Sequence, residues 1–187
     1  MKYLLGIDFG GGASKATLLC EDGTICATST TEYKTSYPKP GYAEQNPDDW
    51  VKATCENIKS VLSKSGVSPD SICAVSLDAA THTAVIMDEN FNVIRPSIYW
   101  TDTRSTQEVS FLKENYSDTI QKQVLHKPDT IWSLPELMWI KNNEEENWSK
   151  VRKILFAKDY VRHTLTGDYV TDYIEAEGSM IHFSSKP

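Results

Sequence analysis

The chain has 187 residues, enough for one well-buried domain with or without a subdomain, and its 40% hydrophobic and 24% charged content is that of an ordinary globular protein. A formal net charge of −7, with Lys and Arg scattered rather than clustered, argues against a nucleic-acid partner, so an anionic ligand must be held locally by backbone amides, one or two cations or a metal ion. No window approaches the apolar length of a membrane span, and the apolar run after Tyr3 stops at Asp8, too early for a secretory leader; a cytoplasmic protein with no membrane partner is expected.

The first element, Tyr3–Phe9, is apolar on both faces and reads as a buried strand. Residues 16–20 and 24–30 read as two more, joined by a turn at Glu21-Asp22-Gly23, so the chain opens as an antiparallel meander. Residues 35–41, with Pro38, Pro40 and Gly41, are loop. Asn46 is a helix N-cap, followed by Pro47 at the first helical position and by Asp48 and Asp49 in the first turn. The helix runs to about Ser65 with an apolar stripe of Trp50, Ala53, Ile58, Val61 and Leu62, and Gly66 stops it.

Residues 72–77 are apolar except for Ser76, which predicts a central strand parallel to the first. Residues 82–87 and 93–100 read as further strands, and 106–115, 135–142, 148–156 and 158–165 as helices. The run Glu144-Glu145-Glu146 reads as a solvated face. Cys20, Cys26, Cys55 and Cys73 lack metal-site spacing and read as buried reduced thiols. The whole pattern is α/β: a mixed sheet that begins with a three-strand meander and is flanked by helices.

Three consecutive glycines, Gly10, Gly11 and Gly12, follow Asp8 at the end of the first strand. A P-loop needs Gly directly before Lys and a helix after it; here Ser14 precedes Lys15 and a strand follows. A dinucleotide fingerprint needs a third Gly where Lys15 stands. Two readings stay open on the residues alone: a plain tight hairpin with a solvated Asp, or a hairpin turn whose amides form an anion-binding nest. In the second, Asp8 holds a hydrated Mg²⁺ and Lys15 reaches a phosphate oxygen.

The stretch Gly6-Ile7-Asp8-Phe9-Gly10-Gly11-Gly12-Ala13-Ser14-Lys15-Ala16 resembles the first phosphate motif of the FGGY carbohydrate kinases. Other segments resemble that family in the same order: 41–50 (GYAEQNPDDW), 94–104 (IRPSIYWTDTR), and Lys158-Asp159-Tyr160 with Leu165-Thr166-Gly167-Asp168 and Thr171-Asp172. Within the family the pattern is most similar to xylulose kinases. The resemblance implies an actin-like, ribonuclease-H-like ATPase fold, and ATP-dependent phosphorylation of a sugar or polyol hydroxyl with Mg²⁺. It implies that residues 1–187 form the first, sugar-side domain, and that the catalytic base lies in a second domain that this chain lacks; the chain alone is then expected to be inactive.

On that resemblance Gly10, Gly11, Gly12, Ser14 and Lys15 form the phosphate-binding set and Asp8 is the metal ligand. Family members usually carry Thr or Ser where Gly11 and Gly12 stand. The acceptor side falls on the turn after residue 77, where Thr81 and His82 are candidate sugar contacts; Ala80 and Thr81 depart from the xylulose kinase pattern. Asp102 and Arg104 are candidates either for sugar contact or for bracing the floor of the cleft. A ketopentose such as xylulose is the expected substrate. A glycerol, ribulose or hexulose kinase and a non-catalytic sugar-binding module are the alternatives, and both monomer and homodimer stay open.

Overall fold

The computed structural model describes residues 2–179. Its main sheet has the strand order β3-β2-β1-β5. β1 (Tyr3–Phe9) pairs antiparallel with β2 (Ala13–Cys20), which pairs antiparallel with β3 (Ile25–Glu32). β5 (Ile72–Ala79) lies parallel to β1 on its other side. The expected meander is present, and β2 begins three residues before the expected start because the glycine turn is tight.

Helix α1 (Pro47–Ser65) crosses between β3 and β5 and covers one face of the sheet. Its ends are those written in the sequence. The Asn46 side chain accepts from the Asp48 amide, and Gly66 closes the helix at φ 68°, a left-handed conformation that carries little cost only for glycine. Trp50 and Val61 bury against Leu5, Ile7, Phe9, Ala16 and Leu18 to form the principal core. Period-two alternation leaves Leu4, Gly6 and Asp8 on the opposite face of β1.

A short pair, β4 (Glu44–Gln45) and β7 (Ser97–Ile98), lies beside a buried pair, β6 (Ala84–Met87) and β8 (Lys153–Phe156). Helices α2 (Thr106–Val124), α3 (Ser133–Asn143) and α4 (Glu145–Lys150) pack in sequence beside them. α5 (Ala157–Thr166) returns to the main sheet and leads to α6 (Tyr173–Gly178). Among the described residues no helix is long and apolar enough to cross a membrane.

Four expectations are corrected. β5 is an edge strand among the described residues, with Val75 51% exposed, because only one of its flanks is paired. Residues 93–100 do not form one strand: Pro96 has no N–H to give a ladder, so only Ser97 and Ile98 pair and Val93 makes an isolated bridge to Met87. The second half of 148–156 is strand rather than helix, since pairing with β6 buries Leu155 and Phe156 and overrides the local helical spacing. The cysteines are not buried: Cys73 is exposed and the other three are half-buried. Glu144, in the acidic run, is also tied to Arg95 at 2.9 Å.

Candidate functional site

Because β1 and β5 run parallel, their C-terminal ends leave the sheet at the same edge, where α/β sheets bind ligands. The glycine turn follows β1 and the 80–83 turn follows β5. The Ala80 amide donates to Phe9 O at 3.3 Å, so the two turns are adjacent.

The glycine turn is wired from behind. Tyr33 Oη donates to Gly10 O at 2.6 Å, while Thr35 Oγ1 and Gln45 Nε2 both donate to Gly11 O at 2.9 Å. Gln45 is itself held by Trp50 Nε1, 2.9 Å from its Oε1. The Gly10 amide is spent on Ala13 O, which leaves two amides, those of Gly11 and Gly12, without a partner among the described residues. None of the three glycines has a positive φ. Their use is space: a Cβ on Gly11 would come 3.1 Å from Tyr99 Oη, whereas above Gly10 and Gly12 a Cβ would meet nothing within 4 Å.

Asp8 lies in register with Lys15 on β2 and with Asp78 on β5, so two carboxylates and an ammonium stand on neighbouring strands of the open face. With Gly6, Thr17 and Ser76 they line a hollow of about 280 Å³. Among the described residues the Asp8 carboxylate accepts no hydrogen bond and lies within ion-pair distance of no cation, and no three metal-type ligands converge. That donor set fits a hard divalent cation that keeps most of its waters and takes one or two carboxylates. Ser14 lies on the other side of β2, fully buried, with its carbonyl accepting from Asn57 Nδ2. Strand alternation thus removes its side chain from the phosphate set expected from sequence.

A larger hollow, about 560 Å³, lies between α1, β5 and α5 and is lined by Ile58, Val75, Leu77, Lys158 and Arg162 among others. It contains neither the glycine turn nor Asp8, and Ile58, Val75, Leu77 and Leu165 supply its apolar surface.

On the acceptor side Thr81 is exposed and His82 sits at φ 60°. The His82 amide donates to Glu175 Oε2 at 2.9 Å, its carbonyl accepts from Ser133 Oγ at 2.6 Å, and its ring lies edge-on to Trp132 with centroids 4.7 Å apart. Burial first, then the nearby His126 and Lys158, push the His82 imidazole down from its ordinary 6.5 to about 4. The folded protein therefore keeps this ring neutral in a range where the unfolded chain protonates it. The contribution of His82 to stability should be undiminished above pH 6.5 and fall as pH drops towards about 4, because the unfolded state binds the extra proton. Urea unfolding above and within that window should show a smaller loss in His82→Gln than in the parent; an equal loss would assign the proton uptake to another group.

Asp102 and Arg104 do not face the site. Asp102 is 2% exposed, and its carboxylate accepts from the Ala43 amide and from the Arg104 amide, Nε and Nη2. Arg104 also reaches Glu44 at 2.8 Å and lies over the Tyr42 ring at 3.9 Å. With every carboxylate lone pair engaged, the pair braces the segment that carries Gln45, and the alternative of sugar contact is withdrawn. Nearby Glu136 is 2% exposed with both oxygens unpartnered among the described residues, and burial raises its pKa well above the usual carboxylate range. Glu175 is 1% exposed and accepts the His82 amide.

Residues 3–183 match the model of the FGGY family of carbohydrate kinases, N-terminal domain. The chain belongs to that family, and its fold is the actin-like ATPase fold of those sugar kinases. It is 35% identical to a xylulose kinase of Bacillus subtilis over its whole length, and spans 38% of that relative. It superposes with TM-score 0.90 on a ligand-bound xylulose kinase from Lactobacillus acidophilus, at 27% identity over 97% of this chain and 36% of that one. A gluconate kinase from the same organism gives 0.89 at 27% identity, covering 96% of this chain and 36% of that one.

Proposed function

We propose that the protein transfers the terminal phosphoryl group of ATP to a hydroxyl of a ketopentose such as xylulose, in the cytoplasm. Residues 1–187 are read as the first, sugar-side domain, and the base that takes the hydroxyl proton as part of a second domain. The observation that carries the reading is the adjacency of two turns at one sheet edge, one offering free amides beside Asp8 and Lys15, the other offering a neutral His82. Phosphoryl transfer needs mainly positioning and charge neutralisation, and these groups supply both. The Gly11 and Gly12 amides and Lys15 take phosphate oxygens; Asp8, with Asp78 beside it, holds the hydrated Mg²⁺ that offsets the phosphate charge when bound. His82, neutral, exchanges a hydrogen bond with a sugar hydroxyl.

A second reading, a kinase of the same family for glycerol, ribulose or a hexulose, is favoured by the small Ala80 and Thr81 in the acceptor turn. A coupled ADP-release assay of the full-length protein against ketoses, aldonates and polyols separates the two. Highest kcat/KM with xylulose is expected. Highest kcat/KM with another acceptor moves the assignment to the second reading, and no ADP release with any acceptor overturns both. Residues 1–187 alone should show no turnover; sustained turnover would place the base within this chain.

A further inference from the structure

His82 is a non-glycine residue held in the left-handed region, a conformation that persists only where its surroundings over-determine it. The surroundings come from α6. Glu175 Oε2 accepts the His82 amide and lies 3.4 Å from His82 Nδ1. Gly178, one turn on, lies so close that a Cβ there would clash with His82 Cε1, against the ring itself. Glu175 is in turn anchored. Lys158 Nζ is 3.2 Å from its Oε1 and 2.9 Å from Asp172, and Asp172 caps α6 by accepting the Glu175 amide at 2.9 Å. Burial works to lower the Lys158 pKa, but Asp172 and Glu175 outweigh it and hold the group above its usual value. Asp159, beside Lys158, accepts from Thr171 Oγ1 at 2.7 Å. The Lys158-Asp159 and Thr171-Asp172 pairs thus act as a frame for one carboxylate.

That carboxylate faces one of the two ring nitrogens. Nδ1 is buried and has no hydrogen bond of good geometry, and Nε2 bonds no described residue. A neutral imidazole has one N–H, and which nitrogen carries it is decided by the acceptor facing it. We infer that Glu175 is a positioning residue for His82: its carboxylate fixes the backbone of the turn and holds the ring proton on Nδ1, so that Nε2 meets the sugar as a hydrogen-bond acceptor. The inference rests on the reading of His82 as the sugar contact. It gives the interaction a direction: the hydroxyl that His82 touches donates.

The test is the tautomer. In full-length protein labelled with ¹⁵N-histidine, two-dimensional ¹H–¹⁵N multiple-bond spectra, with the His82 signals assigned from His82→Gln, should show the proton on Nδ1. Glu175→Gln keeps an oxygen for the His82 amide but removes the charge facing Nδ1, so a purely structural role would leave the tautomer alone. We expect the variant to show a mixture of tautomers and a sugar KM raised on the order of tenfold, with kcat nearly unchanged. A parent ring protonated on Nε2, or a tautomer indifferent to Glu175→Gln, overturns the inference; should the variant fail to fold, the parent spectrum decides alone. An unchanged sugar KM in His82→Gln, with the parent proton on Nδ1, overturns the sugar-contact reading while supporting the positioning of the ring by Glu175.

Discussion

Asp8→Ala in the full-length protein should lower kcat for sugar phosphorylation on the order of 10³-fold, the scale on which a single charge-stabilising group acts in a pre-organised site. The argument is geometric. Asp8 is the one carboxylate at the end of β1, it accepts no hydrogen bond from any described residue, and it stands in register between Lys15 and Asp78. A folded chain gains nothing from two acids on adjacent strands, since like charges directly opposite destabilise a sheet. The variant should therefore unfold at the same or slightly higher urea concentration than the parent, which separates a chemical role from a structural one. Lys15→Ala should behave similarly in kcat, with a raised KM for ATP. Parent-like turnover in either variant would remove that residue from the mechanism.

Arg104→Ala should cost about 3–5 kcal/mol of folding stability, read from urea unfolding, because it strands buried charge. Its side chain is 2% exposed, and removing it leaves Asp102, equally buried, with only the backbone amides of residues 43 and 104 and no countercharge, and leaves Glu44 with Arg95 alone. It also removes the guanidinium that lies over the Tyr42 and Trp139 rings. Arg104→Lys keeps the charge but not the planar fork, and should fall between the two. A loss below about 1 kcal/mol, the range of exposed ion pairs, would show that the cluster is solvated rather than buried.

Four family-like segments have different physical duties, and only the first carries the residues proposed to meet phosphate and metal. The first presents Asp8, the glycine turn and Lys15. In 41–50, Gln45 and Trp50 hold the turn's carbonyls; in 94–104, Arg95, Asp102 and Arg104 hold Glu44 and the Ala43 amide; Lys158, Asp159, Thr171 and Asp172 frame Glu175. Sequence patterns of this kind mark residues that are hard to replace, and a buried, fully hydrogen-bonded arginine is as hard to replace as a metal ligand. That is why the sequence left Asp102 and Arg104 open to either sugar contact or bracing.

Local chemistry was legible where neighbours in sequence are neighbours in space. The Asn46–Pro47 start and the Gly66 stop of α1, the three-strand meander and the glycine turn all follow from capping, left-handed glycine and strand alternation, which act within a few residues. What the tertiary structure alone decided involves partners far apart in the chain. Asp78 joins Asp8 through the parallel β1–β5 register, Glu175 meets His82 across 93 residues, Ser14 turns inward, and residues 153–156 become a strand because β6 lies beside them. Such contacts repay their loop-closure entropy only through burial and pairing in the finished fold, and nothing in the local pattern encodes which distant segment will do so.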